Sequence, residues 1–199
     1  MFQWLQQLPK YWRKRNAITY LLWPLEVTYK VAWRLRQGAI RLGWIEQHRV
    51  NATVIVVGNV VVGGGGKTPL TMALVQRLVK QGLQVGVVSR GYGRANTSLQ
   101  IVNAQSLATD VGDEPLMIFQ KCNVPVVVGA QRVAAARHLL NQFPSVNVLV
   151  CDDGLQHLRL QRDIEICVMD ERGLGNGWLL PAGDMPAFVD QAARLAATL

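Results

Sequence analysis

Two groups of residues in this sequence have types and spacing that can do chemistry. The first is Gly63-Gly64-Gly65-Gly66-Lys67-Thr68, which follows a valine-rich run starting at Thr53 and precedes apolar residues at helical spacing from Leu70 to Lys80. Strand, glycine loop, Lys-Thr and helix is the order of a phosphate-binding loop. Glycines let several N–H groups turn toward one anion, and the next helix presents its positive end to the same point. There Lys67 reaches the β- and γ-phosphates of a nucleotide, and the Thr68 hydroxyl sits on Mg²⁺. The second group is Asp152-Asp153, closing the apolar run Val146 to Cys151. In P-loop enzymes an acid at such a strand end helps hold Mg²⁺ opposite the loop hydroxyl. A flexible glycine turn is the competing explanation of the first group, but it gives no reason for Gly66-Lys67-Thr68 at a helix start. The match is not strict, because Val61 stands where the first glycine of the pattern falls.

Other candidates carry weaker signals. The strand Leu83 to Ser89 runs into Arg90-Gly-Tyr-Gly-Arg94. Ligands of open α/β sheets bind beyond the carboxyl ends of strands, so Arg90 and Arg94 are candidates for phosphate contact, with a solvated glycine turn as the alternative. Asp113 and Glu114 stand just before a helical segment, Leu116 to Lys121, where acids serve as N-terminal caps. His157 either orients a carboxylate, contacts substrate or is structural.

The elements that must position these residues alternate. After a polar stretch, Ala95 to Asp110, the sequence predicts strands over Asn123–Val128 and Ile164–Met169 and a helix over Ala130–Gln142 that exposes Arg132 and Arg137. Strand–helix units with short connections predict an α/β fold of P-loop NTPase type, a mostly parallel sheet with helices on both faces.

Half of the 199 residues are apolar, enough for a core without staples. Cys122, Cys151 and Cys167 form no C-x-x-C pair and read as small buried hydrophobes in a reducing compartment. Charge divides the chain. Residues 1–50 carry +7 and residues 51–199 carry +1. Five of the six tryptophans (Trp4, Trp12, Trp23, Trp33 and Trp44) also lie in the first segment. Its longest uncharged run, Asn16 to Leu25, contains Pro24 and falls well short of the ~20 residues of a spanning helix. Basic residues mixed with Trp, Tyr and Leu suit an amphipathic segment lying on an anionic membrane surface. A helix packed on the following domain and a nucleic-acid arm compete, the latter disfavoured by the apolar content. The expected organisation is a membrane-associating segment, 1–50, and a P-loop domain, 51–199.

Taken together, the motifs resemble the tetraacyldisaccharide 4′-kinase family, the lipid A 4′-kinases of Gram-negative bacteria. The resemblance is carried by Val57-Gly-Asn59 with Gly63 to Pro69, Ser89-Arg-Gly-Tyr92, Gly112-Asp-Glu-Pro115, Asp152-Asp-Gly-Leu-Gln-His157, Arg162-Asp163 and Leu180-Pro-Ala-Gly183. It implies transfer of the γ-phosphoryl of ATP, with Mg²⁺, to the 4′-hydroxyl of a tetraacylated glucosamine disaccharide 1-phosphate, giving lipid IVA. The implied location is the cytoplasmic face of the inner membrane, with the N-terminal segment as a peripheral anchor and no nucleic-acid partner. Asp113 then acts as the base toward the sugar hydroxyl, in place of a cap. Lys67 and Thr68 bind phosphate and Mg²⁺, Asp152 and Asp153 lie near the metal, and Asn59, Arg90 and His157 fall on the substrate side.

The sequence departs from the family pattern at Val61 and at Gly65, which completes four consecutive glycines and makes ordering the loop entropically more expensive. The family also continues beyond Pro-Ala-Gly183 into a second domain that closes over the site and supplies a histidine to the catalytic Asp. This sequence is expected to lack it. A catalytically silent, nucleotide-binding, membrane-associated remnant therefore stands as the alternative to an active kinase. A P-loop ATPase that positions proteins on membranes is a weaker third reading, with no role for Asp113.

Overall fold

The structure is a computed structural model that describes residues 17–59, 66–94, 97–168, 178–179 and 181–182. It contains α1 (Ala17–Arg41), β1 (Thr53–Asn59), α2 (Lys67–Lys80), β2 (Val85–Ser89), β3 (Gln100–Ile101), α3 (Ala108–Val111), α4 (Asp113–Cys122), β4 (Val126–Val128), α5 (Arg132–Gln142), β5 (Val148–Asp152) and β6 (Ile164–Val168). The chain divides into two compact units, residues 1–46 with 59–65 and 167–199, and residues 47–58 with 66–166.

The sheet runs β3-β4-β2-β5-β1-β6. β1 pairs with β5, β5 with β2 and β2 with β4, all parallel; β3 is antiparallel to β4. Every residue of β2, β4 and β5 is buried, as are Val54 to Gly58 of β1. Unbroken burial along a strand means that both faces are covered, which is why these strands read as continuous valine-rich runs. α2 packs on β2 and β5, α4 on α2 and β4, and α5 on β2 and β4. The expected mostly parallel α/β sheet is present.

Several boundaries differ from the sequence expectation. α2 begins at Lys67, because Pro69 falls in the first turn, where its missing N–H breaks no helical bond. α4 begins at Asp113 and ends against Asn123 in the left-handed conformation, φ 51°. The helix stop consumes the residues expected to start β4. The polar stretch holds a short edge strand, β3, and a single helical turn, α3. The expected final residue of β6, Met169, lies outside the described residues. Cys122 and Cys151 are buried and Cys167 is half-buried, and the three form no disulfide.

Within its unit, α1 is a 25-residue helix that continues through Pro24. Its buried residues are polar, Thr19 and Glu26. Glu26 Oε1 accepts from the Leu179 N–H at 3.3 Å and lies 3.7 Å from Lys30 Nζ. Tyr20 meets Trp178 edge to face at 5.1 Å. Outward lie Tyr20, Leu21, Trp23, Leu25, Val31 and Leu35. Among the described residues no helix is long and apolar enough to cross a membrane.

Candidate active site

Parallel strands deliver their carboxyl ends to one edge of the sheet. β5 lies between β1 and β2, with Asp152 in register with Val57 and Cys151 with Val88. Gly66, Ser89, Gly129 and Asp152 thus mark the ends of four neighbouring chain segments, and the polar side chains of this half collect there. Among the described residues, the buried polar groups of this unit are Thr68, Thr71, Ser89, Arg132 and Asp152.

Gly66 caps α2 with φ 99°, a left-handed conformation that glycine adopts freely. Among the described residues no side chain caps this helix, and its first turn holds no acid, so its N-terminal amides and dipole suit an anion. Gly63, Gly64 and Gly65 lie outside the described residues, as does Val61. Lys67 Nζ lies 2.8 Å from Asp153 Oδ1. Thr71, one turn on, donates to Asp152 Oδ1 at 3.3 Å. Asp153 has φ 54°, a rare conformation for a non-glycine residue that turns its carboxylate out of the strand.

Asp152 is 1% exposed, and its Oδ2 has no hydrogen-bond partner among the described residues. Burial pushes its carboxyl up to about 6, the Glu114 charge adding to the rise and Lys67 opposing it. A buried carboxylate oxygen without a donor is costly unless a cation faces it. The donor set of Thr68 hydroxyl and Asp152 carboxylate fits Mg²⁺, which keeps several waters and takes one or two carboxylates with substrate phosphates. The described residues hold no cluster of three or more His, Cys, Asp or Glu that could bind a metal ion.

The expectation that Arg132 is exposed is overturned. It is 3% exposed. Nη1 donates to Gly129 O at 2.7 Å and Nη2 to the carbonyls of Asp152 and Asp153, both at 3.4 Å. Burial lowers its pKa, opposed by the charges of Cys151, Asp153 and Asp152. Helical spacing placed Arg132 outward, but it opens α5 at the sheet edge, where the side chain turns in toward β5. Arg137 is exposed, as expected.

The Arg94 guanidinium donates to Ser98 O at 2.6 Å and Thr97 O at 2.9 Å, closing its own loop. Arg90 is exposed at the end of β2, and its charge acts on both His157 and Arg132. His157 is held down to about 4, first by burial and then by the charges of Arg132 and Arg90. It is a neutral imidazole at pH 7. Arg162 latches this turn, donating to His157 O at 2.9 Å, Leu155 O at 3.1 Å and Glu165 Oε1 at 2.9 Å. Asp163 Oδ2 accepts from Val54 N at 2.8 Å, tying the same segment to the start of β1. Asn59 is the last residue of β1.

Asp113 is the first, exposed residue of α4, preceded by Gly112 with φ 93°. A Cβ on Gly112 would lie 3.1 Å from Gly91 Cα, and one on Gly91, φ 69°, would lie 2.6 Å from Val111 O. The loop carrying Arg90 and the start of α4 therefore touch backbone to backbone, and only glycine allows it. Glu114, read from sequence only as a cap, is close enough to raise Asp152.

A family model described as tetraacyldisaccharide-1-P 4′-kinase matches residues 18–199. The chain belongs to this family. Curated relatives named tetraacyldisaccharide 4′-kinase include one from Polaromonas sp. (strain JS666), 54% identical over 174 residues, and one from Acidovorax sp. (strain JS42), 50% identical over 174 residues. Each alignment covers 87% of this chain and 52% of the relative, so the chain spans about half the length of the curated relatives it matches. The crystal structure of LpxK from Aquifex aeolicus, an "apo" form in complex with ATP, superposes with a TM-score of 0.77 at 31% identity, over 89% of this chain and 56% of that one. The resemblance carried by the short motifs is thus borne out as family membership.

Proposed function

We propose that this chain carries the nucleotide and metal site of a kinase that moves the γ-phosphoryl of ATP to the 4′-hydroxyl of a tetraacyldisaccharide 1-phosphate. One observation carries the proposal. Lys67, beside the buried Thr68 at the start of α2, meets Asp153, and the adjacent Asp152 has a buried Oδ2 with no donor among the described residues. The ATP in the complex with the Aquifex relative supports the same nucleotide here.

Phosphoryl transfer asks a protein mainly for positioning and charge neutralisation. The loop from Gly63 to Gly66 cradles phosphate oxygens, aided by the N-terminus of α2. Lys67 is held in reserve on Asp153 and exchanges that partner for a phosphate oxygen. Thr68, Asp152 and Asp153 would hold Mg²⁺, which supplies Lewis-acid neutralisation of the phosphates when bound. Arg132 ties the carbonyls of both acids to Gly129, so the two carboxylates are presented from a fixed backbone. Asp113 takes the proton of the sugar hydroxyl, with its approach set by the Gly91–Gly112 contact. Arg90, Asn59 and the neutral His157 serve the acceptor side.

We propose further that residues 1–50 associate with the cytoplasmic face of an anionic inner membrane and that residues 51–199 form the P-loop kinase domain. The outward apolar side chains of α1 support the first part. A substrate whose acyl chains stay in the bilayer gives such a segment its purpose.

The test is transfer of labelled γ-phosphate from Mg-ATP to tetraacyldisaccharide 1-phosphate in detergent micelles by the 199-residue chain. Labelled 4′-phosphorylated lipid is expected. ATP hydrolysis that lipid does not stimulate would favour the ATPase reading, and ATP binding with neither reaction would favour a silent nucleotide-binding protein.

A further inference from the structure

The first two turns of α2 carry three polar side chains toward the carboxyl ends of the strands. Lys67 reaches Asp153, Thr68 is buried, and Thr71 is fully buried and donates to Asp152 Oδ1 at 3.3 Å. Thr71 lies four residues from Lys67 and three from Thr68, so it shares a face of the helix with each. The phosphate-loop pattern accounts for Lys67 and Thr68 but gives no role to Thr71.

A hydroxyl in a buried helical position ordinarily folds back onto a carbonyl of the preceding turn. Thr71 instead donates across to Asp152, the last residue of β5. A carboxylate has two equivalent oxygens, and one donor breaks that equivalence. The oxygen that takes the Thr71 proton is fixed, and the other, Oδ2, is the one with no partner among the described residues. Threonine suits the task because its branched Cβ restricts rotation within a helix. Valine, nearly the same shape, would leave both oxygens of a buried carboxylate without a donor.

We propose that Thr71 is a positioning residue of the metal site. Its hydroxyl orients the Asp152 carboxylate so that Oδ2 faces the divalent cation that Asp152 and Thr68 share. This inference rests on the Mg²⁺ reading of Asp152 given above and extends it to the partner of the ligand. Groups that orient a ligand carry a measurable share of metal affinity, ~10–100-fold for their removal.

The experiment uses Mn²⁺ as the probe, followed by electron paramagnetic resonance in the presence of a non-hydrolysable ATP analogue. It compares the full chain with Thr71→Val, Thr71→Ser and Asp152→Asn. Thr71→Val is expected to weaken Mn²⁺ binding ~10–100-fold and Thr71→Ser to restore it within about threefold. Metal-free binding of the analogue should be the same in the unsubstituted chain and in the two Thr71 variants. Mn²⁺ affinity of Thr71→Val equal to the unsubstituted chain, with Asp152→Asn impaired, would overturn the role of Thr71 alone. Unimpaired Asp152→Asn would overturn the metal reading and this inference with it. Should Thr71→Val melt below the assay temperature, Thr71→Ser decides. It lacks the methyl but keeps the hydroxyl, so unsubstituted-level affinity supports the inference and a tenfold loss overturns it.

Discussion

α1 and α2 both bury polar side chains, but they leave different surfaces outside. α2 follows the ordinary rule at its packed face, burying Val75, and its buried polar residues, Thr68 and Thr71, all sit at the end where the acids are. α1 buries Thr19 and Glu26 and turns Leu21 and Leu35 outward, 79% and 69% exposed. In α2, polarity is buried where chemistry needs it. In α1, apolar surface is left where water would be the wrong neighbour, as the proposed membrane association requires. Both helices are amphipathic by sequence, yet amphipathicity alone does not say which face is inside.

The widest expected separation between the two regions comes from Lys67→Ala. Losing one preorganised charge at a phosphoryl-transfer site is expected to lower ATP-dependent turnover on the order of 10²–10³-fold, with liposome binding unchanged. A fall in liposome binding would show that the two regions are not independent.

Asp152→Asn sharpens the contrast through stability. The carboxyl titrates at about 6 instead of 3.8, so the folded chain binds the proton more tightly than the unfolded one. Below pH 4 both states are protonated and nothing is lost. Stability falls as pH rises through 6, and at pH 7.5 the metal-free protein carries a penalty on the order of 3 kcal/mol. The variant should therefore be the more stable protein in urea at pH 7.5, with the advantage gone at pH 4. An advantage that is the same at both values would break this account. His157 has the opposite sign. Held at about 4, it contributes stability that is complete above pH 6.5 and lost as pH falls through 4. His157→Asn should flatten the acid side of the same curve.

On the other side of the comparison, Trp23→Ser in α1 should weaken partition onto vesicles with anionic lipid ~10–100-fold, the worth of one large apolar side chain. Nucleotide affinity should not move. Equal partition would return α1 to the role of a packed helix. The smallest effect is expected at Arg94, whose donors are spent on Thr97 and Ser98. Arg94→Ala should leave nucleotide affinity within about twofold, measured by isothermal titration beside Arg90→Ala, and a larger loss would restore Arg94 to the phosphate site.

What was legible in the sequence was local. Valine-rich runs mark strands covered on both faces, because a strand between two layers has no face for polar residues. Gly66-Lys67-Thr68 is visible because its turn, cation and hydroxyl are neighbours in the chain, and Asp152-Asp153 because it closes an apolar strand. The first helical turns of α2 and α4 were read short, since Pro69 and Pro115 look like breakers until their N-terminal placement is known.

What the tertiary structure alone decided was pairing across the sheet. β5 enters between β1 and β2. That insertion places Asp152 against Thr71, sets Asp153 against Lys67, brings Glu114 near Asp152 and draws Arg132 inward. No spacing in the chain encodes these meetings. The order of the strands creates them, and burial then turns ordinary threonine, arginine and aspartate into groups that must find one another because water is no longer there to satisfy them.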